Sequence, residues 1–153
     1  MFDDKSWELR ARSRLLSLLS FTTNEPEHMV LAEVARRIDP AWQFLRAAAF
    51  SGALRALRRH RVVAVVCDAD RRPDSWKEMV KQILVLPDPP HLIVSSRLAD
   101  ELLWAEALSL GAYDVLSKPF DTEEVSRVLS GTWHRWRAKN ERPPIRRSFL
   151  AGC

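Results

Sequence analysis

The chain has 153 residues, 46% of them apolar and 29% charged, enough for one domain with a full core and too few for two ordinary ones. That composition is globular rather than disordered. No apolar run approaches the ~20 residues that cross a bilayer, and the charged start MFDDKSWELR excludes a secretory signal. The net charge is +4, but it is a local excess. Gly131 to Cys153 holds six Lys/Arg against the single acid Glu141, which leaves 18 bases and 19 acids in the rest of the chain. A basic tail of this kind is either a solvated end or a nucleic-acid arm. Cys67 and Cys153 make no disulfide framework, so the expectation is a soluble cytoplasmic protein.

Residues 1–13 read as a polar N-terminal extension. Arg14 to Phe21 is apolar with interleaved serines and fits a strand or a helix by periodicity alone. TTNEPEH supplies an N-cap, Thr23 or Asn24, with Pro26 near the first turn. Val30, Val34 and Ile38, with Leu31 and Ala35 beside them, form an amphipathic helix that stops at Asp39-Pro40. Trp42 to Phe50 reads as a second strand. Ser51-Gly52 turns into a short helix, with Leu54 and Leu57 facing inward.

Val62 to Cys67 is a β-branched run of the kind buried on both faces in the middle of a parallel sheet, and it ends at Asp68. A carboxylate there stands where open α/β sheets place their chemistry, or it merely starts a polar loop. Trp76, Met79, Val80, Ile83 and Leu84 define the next helix by their spacing. His91 to Ser95 is a fourth strand. Leu98 to Leu110 is helical and closes at Gly111. Tyr113 to Ser117 is the fifth strand, ending at Lys118-Pro119-Phe120. Asp121 caps the last helix, with Glu124 as capping-box partner; its inner face is Val125, Val128, Leu129, Thr132 and Trp136. Residues 138–153 are expected to be a basic, flexible tail.

Alternation of this kind predicts an α/β fold: a doubly wound, five-stranded parallel sheet in the flavodoxin-like order 2-1-3-4-5, with helices on both faces. With four glycines in the chain, a glycine-rich nucleotide loop is not expected. His28, His60, His91 and His134 are scattered and show no ligand spacing, and no nucleophile–base pair stands out, so a conventional enzyme is not expected.

Asp68, Ser95 and Lys118 close three successive strands. With RAAAFSGALRAL, VVAVVCD, LIVSSR and above all LGAYDVLSKPF, they make residues 14–137 resemble the receiver domain of bacterial response regulators. The resemblance implies phosphoryl transfer from a histidine kinase to Asp68, with Lys118 and the Ser95 hydroxyl holding the phosphoryl oxygens. It also implies a cis Lys118–Pro119 bond. The bland alternatives are that Ser95 caps the following helix and Lys118 forms a structural ion pair with Asp68.

Three features depart from the family pattern. The acidic pair that holds Mg²⁺ at the end of the first strand is missing, because Ser20-Phe21-Thr22-Thr23-Asn24 has no carboxylate before Glu25. Asp68 helped by Asp70 or Glu25 is a poor Mg²⁺ site by comparison. Arg72 and Trp76 hold the places of a usual proline and glycine. Val115 holds the place of the aromatic switch, with Tyr113 two residues earlier. The expected protein is therefore a degenerate, stand-alone receiver of the two-component phosphorelay type that acts by protein–protein contact. Its partner is a histidine kinase, another signalling protein, or a second copy through the fourth helix, fifth strand and fifth helix. Trp104, Trp133 and Trp136 lie there as surface hot spots or as core residues. The alternatives are a working phosphoacceptor and a nucleic-acid binder using the basic tail with Trp133 and Trp136; membrane attachment is not expected.

Overall fold

The computed structural model describes residues 15–70 and 75–140. Five parallel strands lie in the order β2-β1-β3-β4-β5: β1 (Leu16–Phe21), β2 (Gln43–Ala47), β3 (Arg61–Asp68), β4 (His91–Ser96) and β5 (Asp114–Ser117). Five helices connect and flank them: α1 (Glu25–Ile38), α2 (Phe50–Arg59), α3 (Ser75–Leu84), α4 (Glu101–Ser109) and α5 (Thr122–Asn140). Arg14–Phe21, open by periodicity, resolves into a strand from Leu16, because Leu18 and Leu19 must each reach a different apolar layer.

Strand alternation divides the core in two. Leu19, Val65, Cys67, Val94 and Val115 pack beneath α2, α3 and α4 together with Leu57, Trp76, Met79 and Ile83. Leu18, Val66, Ile93 and Leu116 face the other way, against Leu31 and Val34 of α1 and Val125, Leu129, Trp133 and Trp136 of α5. A register shift between Ser17 and Leu18 lets β1 and β3 stay paired. The central strand β3 is buried from Val62 to Cys67, as its β-branched run requires.

Several boundaries differ from expectation. β2 ends at Ala47, the last residue with a partner on β1 (Phe21), and Phe50 begins α2 instead of extending the strand. An edge strand has only one neighbour, and where that neighbour ends the chain is free to turn; the Phe50 ring then packs on Phe21 at 6.0 Å. Leu84, placed on the inner face by spacing, is 66% exposed because it is the last residue of α3. α4 starts at Glu101, with Asp100 as N-cap accepting from the Leu103 N–H, and Leu98 lies outside it. Gly111 has φ 109°, the left-handed conformation suited to a residue just past a helix end. α5 continues to Asn140, three residues into the stretch read as tail. The start of the chain to Arg14, residues 71–74 and the tail beyond Asn140 fall outside the described residues, and with them the expectations for the N-terminal extension, Arg72 and the basic end. Among the described residues no helix is long and apolar enough to cross a membrane.

Candidate functional site

Parallel strands all deliver their C-terminal ends to one edge of the sheet. There, Asp68 ends β3, Ser95 and Ser96 end β4, and Lys118 follows β5. α1 adds a residue from above. Asn24 caps it by accepting the Glu27 N–H on its side-chain oxygen at 3.1 Å. This fixes Glu27 in the first turn, directly over the end of β1.

Lys118 is the centre of the arrangement. Its Nζ lies 2.7 Å from Asp68 Oδ1, 3.0 Å from Glu27 Oε1 and 3.3 Å from Asp70 Oδ2. The lysine side chain is 6% exposed, Asp68 11% and Glu27 14%. Burial opposes its charge, yet the hydrogen bonds to Asp68 and Glu27 outweigh that and hold the ammonium pKa above its usual value. The Lys118–Pro119 bond is cis.

The carboxylates are held by further contacts. Thr22 Oγ1 is 3.2 Å from both Asp68 Oδ2 and Glu27 Oε1, so its one proton serves one of them at a time. Asp68 Oδ1 also accepts the Asp70 N–H at 2.9 Å. Asp70 receives the Ser96 hydroxyl at 2.7 Å and the Arg97 N–H at 3.1 Å. Burial works against the Asp70 charge, but these bonds and Lys118 win, and its pKa is lowered. Cys67, beneath the site, has its thiol pushed up to about 12 by burial and is inert as a nucleophile.

Of the residues singled out from sequence, Asp68 and Lys118 meet, and Asp70 joins them. Ser95 does not reach the Asp68 carboxylate: it is 1% exposed and directs its hydroxyl to the Cys67 carbonyl at 3.4 Å. Its neighbour Ser96 is the serine that enters the polar cluster, through Asp70. Glu25, considered as a helper for Asp68, instead pairs with Arg46 at the rim. Val115 is buried on the α4 side, while Tyr113 precedes β5 and packs on the α5 side, beside His91 and Arg135. Tyr113 therefore does not stand in for an aromatic at Val115. Glu27 and Thr22 escaped the sequence reading. The signal for Glu27 was an acid at the third position of the helix that follows the first strand.

The three tryptophans separate. Trp133 and Trp136 are 7% and 2% exposed, and Trp133 packs on Trp42 at 4.7 Å. They are core residues, the second of the two alternatives the sequence left open, and are buried away from an interaction surface and from nucleic-acid stacking. Trp104 is 51% exposed on α4, at a shallow groove lined also by Val115, Ser117 and Glu124.

Against solved structures, the likeness is extensive. The chain is similar to a response regulator from Thermotoga maritima, with a TM-score of 0.68 at 17% identity over 77% of this chain and 97% of that one. The signal receiver domain of an HD domain-containing protein from Pseudomonas fluorescens Pf-5 gives 0.66 at 21% identity, over 86% and 96%. The chemotaxis response regulator CheY4 of Vibrio cholerae gives 0.65 at 17%, over 77% and 98%. The fold is that of the receiver domain of response regulators. No protein-family model and no curated protein matches the sequence.

Receivers of this fold are expected to use Mg²⁺. Here the donor set does not fit it. Mg²⁺ usually takes one or two carboxylates as ligands, whereas Glu27, Asp68 and Asp70 are each paired with the Lys118 ammonium. Among the described residues, no group of three or more His, Cys, Asp or Glu side chains is arranged to hold a metal ion.

Proposed function

We propose that this chain is a receiver-type module of two-component signalling that acts by protein–protein contact, with phosphorylation of Asp68 weak or absent. The observation that carries the reading is the pairing of the one Lys118 ammonium with all three strand-end carboxylates, Asp68, Glu27 and Asp70, with Asp68 only 11% exposed. Each carboxylate of the cluster is thereby already paired with an ammonium instead of being presented to a divalent cation, and phosphoryl transfer without such a cation loses the main neutraliser of its developing charge. The contact surface is the α4–β5–α5 face. Leu102 and Trp104 of α4 are 82% and 51% exposed, large apolar side chains that favour a partner protein or a second copy. The partner class is a histidine kinase or another signalling protein.

One observation favours a second reading, a working phosphoacceptor: Lys118 is 2.7 Å from Asp68, within reach of an incoming phosphoryl oxygen. Intact mass after incubation with acetyl phosphate and Mg²⁺ separates the two. No adduct on the folded wild type supports the contact module. A phosphoryl adduct on wild type, absent in Asp68→Ala, overturns it in favour of the second reading.

A further inference from the structure

Three carboxylate oxygens, one from α1 and two from the end of β3 and the turn that follows it, converge on one point at the edge of the sheet, and that point is an ammonium nitrogen. Glu27 comes from α1, Asp68 from the end of β3 and Asp70 from the loop behind it, at 3.0, 2.7 and 3.3 Å from Lys118 Nζ. Convergence of oxygens with a negative excess is what a divalent cation seeks. The lysine follows β5 and its side chain is almost fully buried, so its charge is held among the carboxylates and away from water. Thr22, Ser96 and the Arg97 N–H hold the carboxylates from outside the cluster.

We propose that the Lys118 ammonium is the resident cation of this domain: it fills, among Glu27, Asp68 and Asp70, the position a divalent ion would need, and makes the strand-end site independent of Mg²⁺. Glu27 is the element that closes the cluster, approaching from the helix side, where the end of β1 offers only Thr22 and Thr23. The site beneath the lysine is therefore a latent divalent-cation site. To hold Ca²⁺, whose ligands stand at about 2.3–2.6 Å, the oxygens need draw in by roughly half an ångström once the ammonium is gone. The inference stands on the geometry of the cluster and does not depend on whether the domain signals by contact.

The test is a thermal-unfolding titration of the full chain with MgCl2 and CaCl2, against KCl at matched ionic strength and with no phosphodonor present. The wild type is expected to show no divalent-specific rise in Tm. Lys118→Met is expected to lose Tm in KCl and to regain it with CaCl2, and adding Glu27→Gln to that variant is expected to shrink the regain. If Lys118→Met is unfolded in KCl, folding on addition of CaCl2, followed by circular dichroism, is the same supporting result. A divalent-specific rise in wild-type Tm overturns the proposal, as does a Lys118→Met protein that neither cation stabilises or folds. These outcomes differ from those for the proposed function: Mg²⁺ binding without an Asp68 adduct sinks only the resident-cation inference. An adduct on a wild type that shows no cation response sinks only the contact reading.

Discussion

Glu27, in the first turn of α1, and Lys118, just past β5, are far apart in the chain and 3.0 Å apart in space, with both side chains largely shielded from water. The pair ties a helix on one face of the sheet to the far strand end. Glu27→Gln keeps the shape of the side chain and removes its charge, leaving Lys118 with Asp68 and Asp70. A hydrogen bond to a charged group contributes ~1.5–3 kcal/mol, and relief of carboxylate crowding offsets part of that. The expected loss is about 1 kcal/mol, read as a lower urea midpoint at unchanged slope. An unchanged midpoint would mean that Glu27 and Lys118 do not hold each other in solution.

The acid limb of stability follows from the histidines. Burial, the largest cause in each case, lowers the pKa of His28, His60 and His91; for His91 the neighbouring Arg135 and Lys139 add to it. A depressed folded-state pKa gives stability that is fully present above the unfolded value of ~6.5 and is lost as pH falls through the folded value. The urea midpoint should therefore decline between about pH 7 and pH 5. His28, 4% exposed with its Nδ1 2.7 Å from Ser20 Oγ, carries part of that decline, so His28→Gln is expected to flatten the profile while lowering it. Asp70, also depressed, adds its loss only below ~4. Lys118, raised, has the opposite sign: its contribution is complete below ~10.4 and is lost as pH rises through its folded value.

Much of this molecule was legible in its sequence, for physical reasons that differ by element. Val62–Val66 announces a central strand because only β-branched side chains fill both faces of a parallel sheet so densely. The strand order followed from alternation and crossover handedness. Asp68 and Lys118 were legible because each closes a strand at the same edge. Glu27 was not, since an acid in the first turn of a helix already has an explanation in the helix dipole. Only the Asn24 cap, fixed in three dimensions, turns it inward. Ser95 was singled out and Ser96 passed over, because a one-residue change reverses the face of a strand and the run of two serines does not say which one meets the site. Trp133 and Trp136 lie in a segment whose arginines suggested solvent, yet cations cover both rings: Arg61 of β3 stands over Trp136 at 4.8 Å and Arg137, from the segment itself, over Trp133 at 5.9 Å.

The separation of the tryptophans predicts opposite phenotypes. Trp133→Ala removes a ring packed on Trp42 within the α5 layer and should cost about 3–5 kcal/mol, unfolding a marginal domain. Trp104→Ala, at a site 51% exposed, should move stability by less than ~0.5 kcal/mol. Sedimentation velocity or partner binding is where Trp104→Ala should register. A Trp104 variant with unaltered association and partner affinity would remove α4 from the proposed contact face.

Close packing between the start of β5 and α5 gives the most exacting test of the fold. The Tyr113 hydroxyl lies against Gly131 so tightly that a Cβ there would overlap the phenol oxygen, while the next atom, Tyr113 Cζ, would stand at an ordinary 3.5 Å. Alanine inside a helix is favoured over glycine by up to ~1 kcal/mol. Overpacking works the other way, by about 1–3 kcal/mol, and the Tyr113 ring has little room to yield between His91 at 5.1 Å and the Arg135 guanidinium at 5.8 Å. Gly131→Ala alone is therefore expected to destabilise, and Tyr113→Phe alone to be nearly neutral. Together they should recover the helix gain, because phenylalanine lacks the one atom that collides. A double-mutant cycle by urea denaturation should return a favourable coupling of about 1 kcal/mol or more. Gly131→Ala that stabilises the protein with Tyr113 intact would show that α5 and the entry to β5 are not in contact at this point.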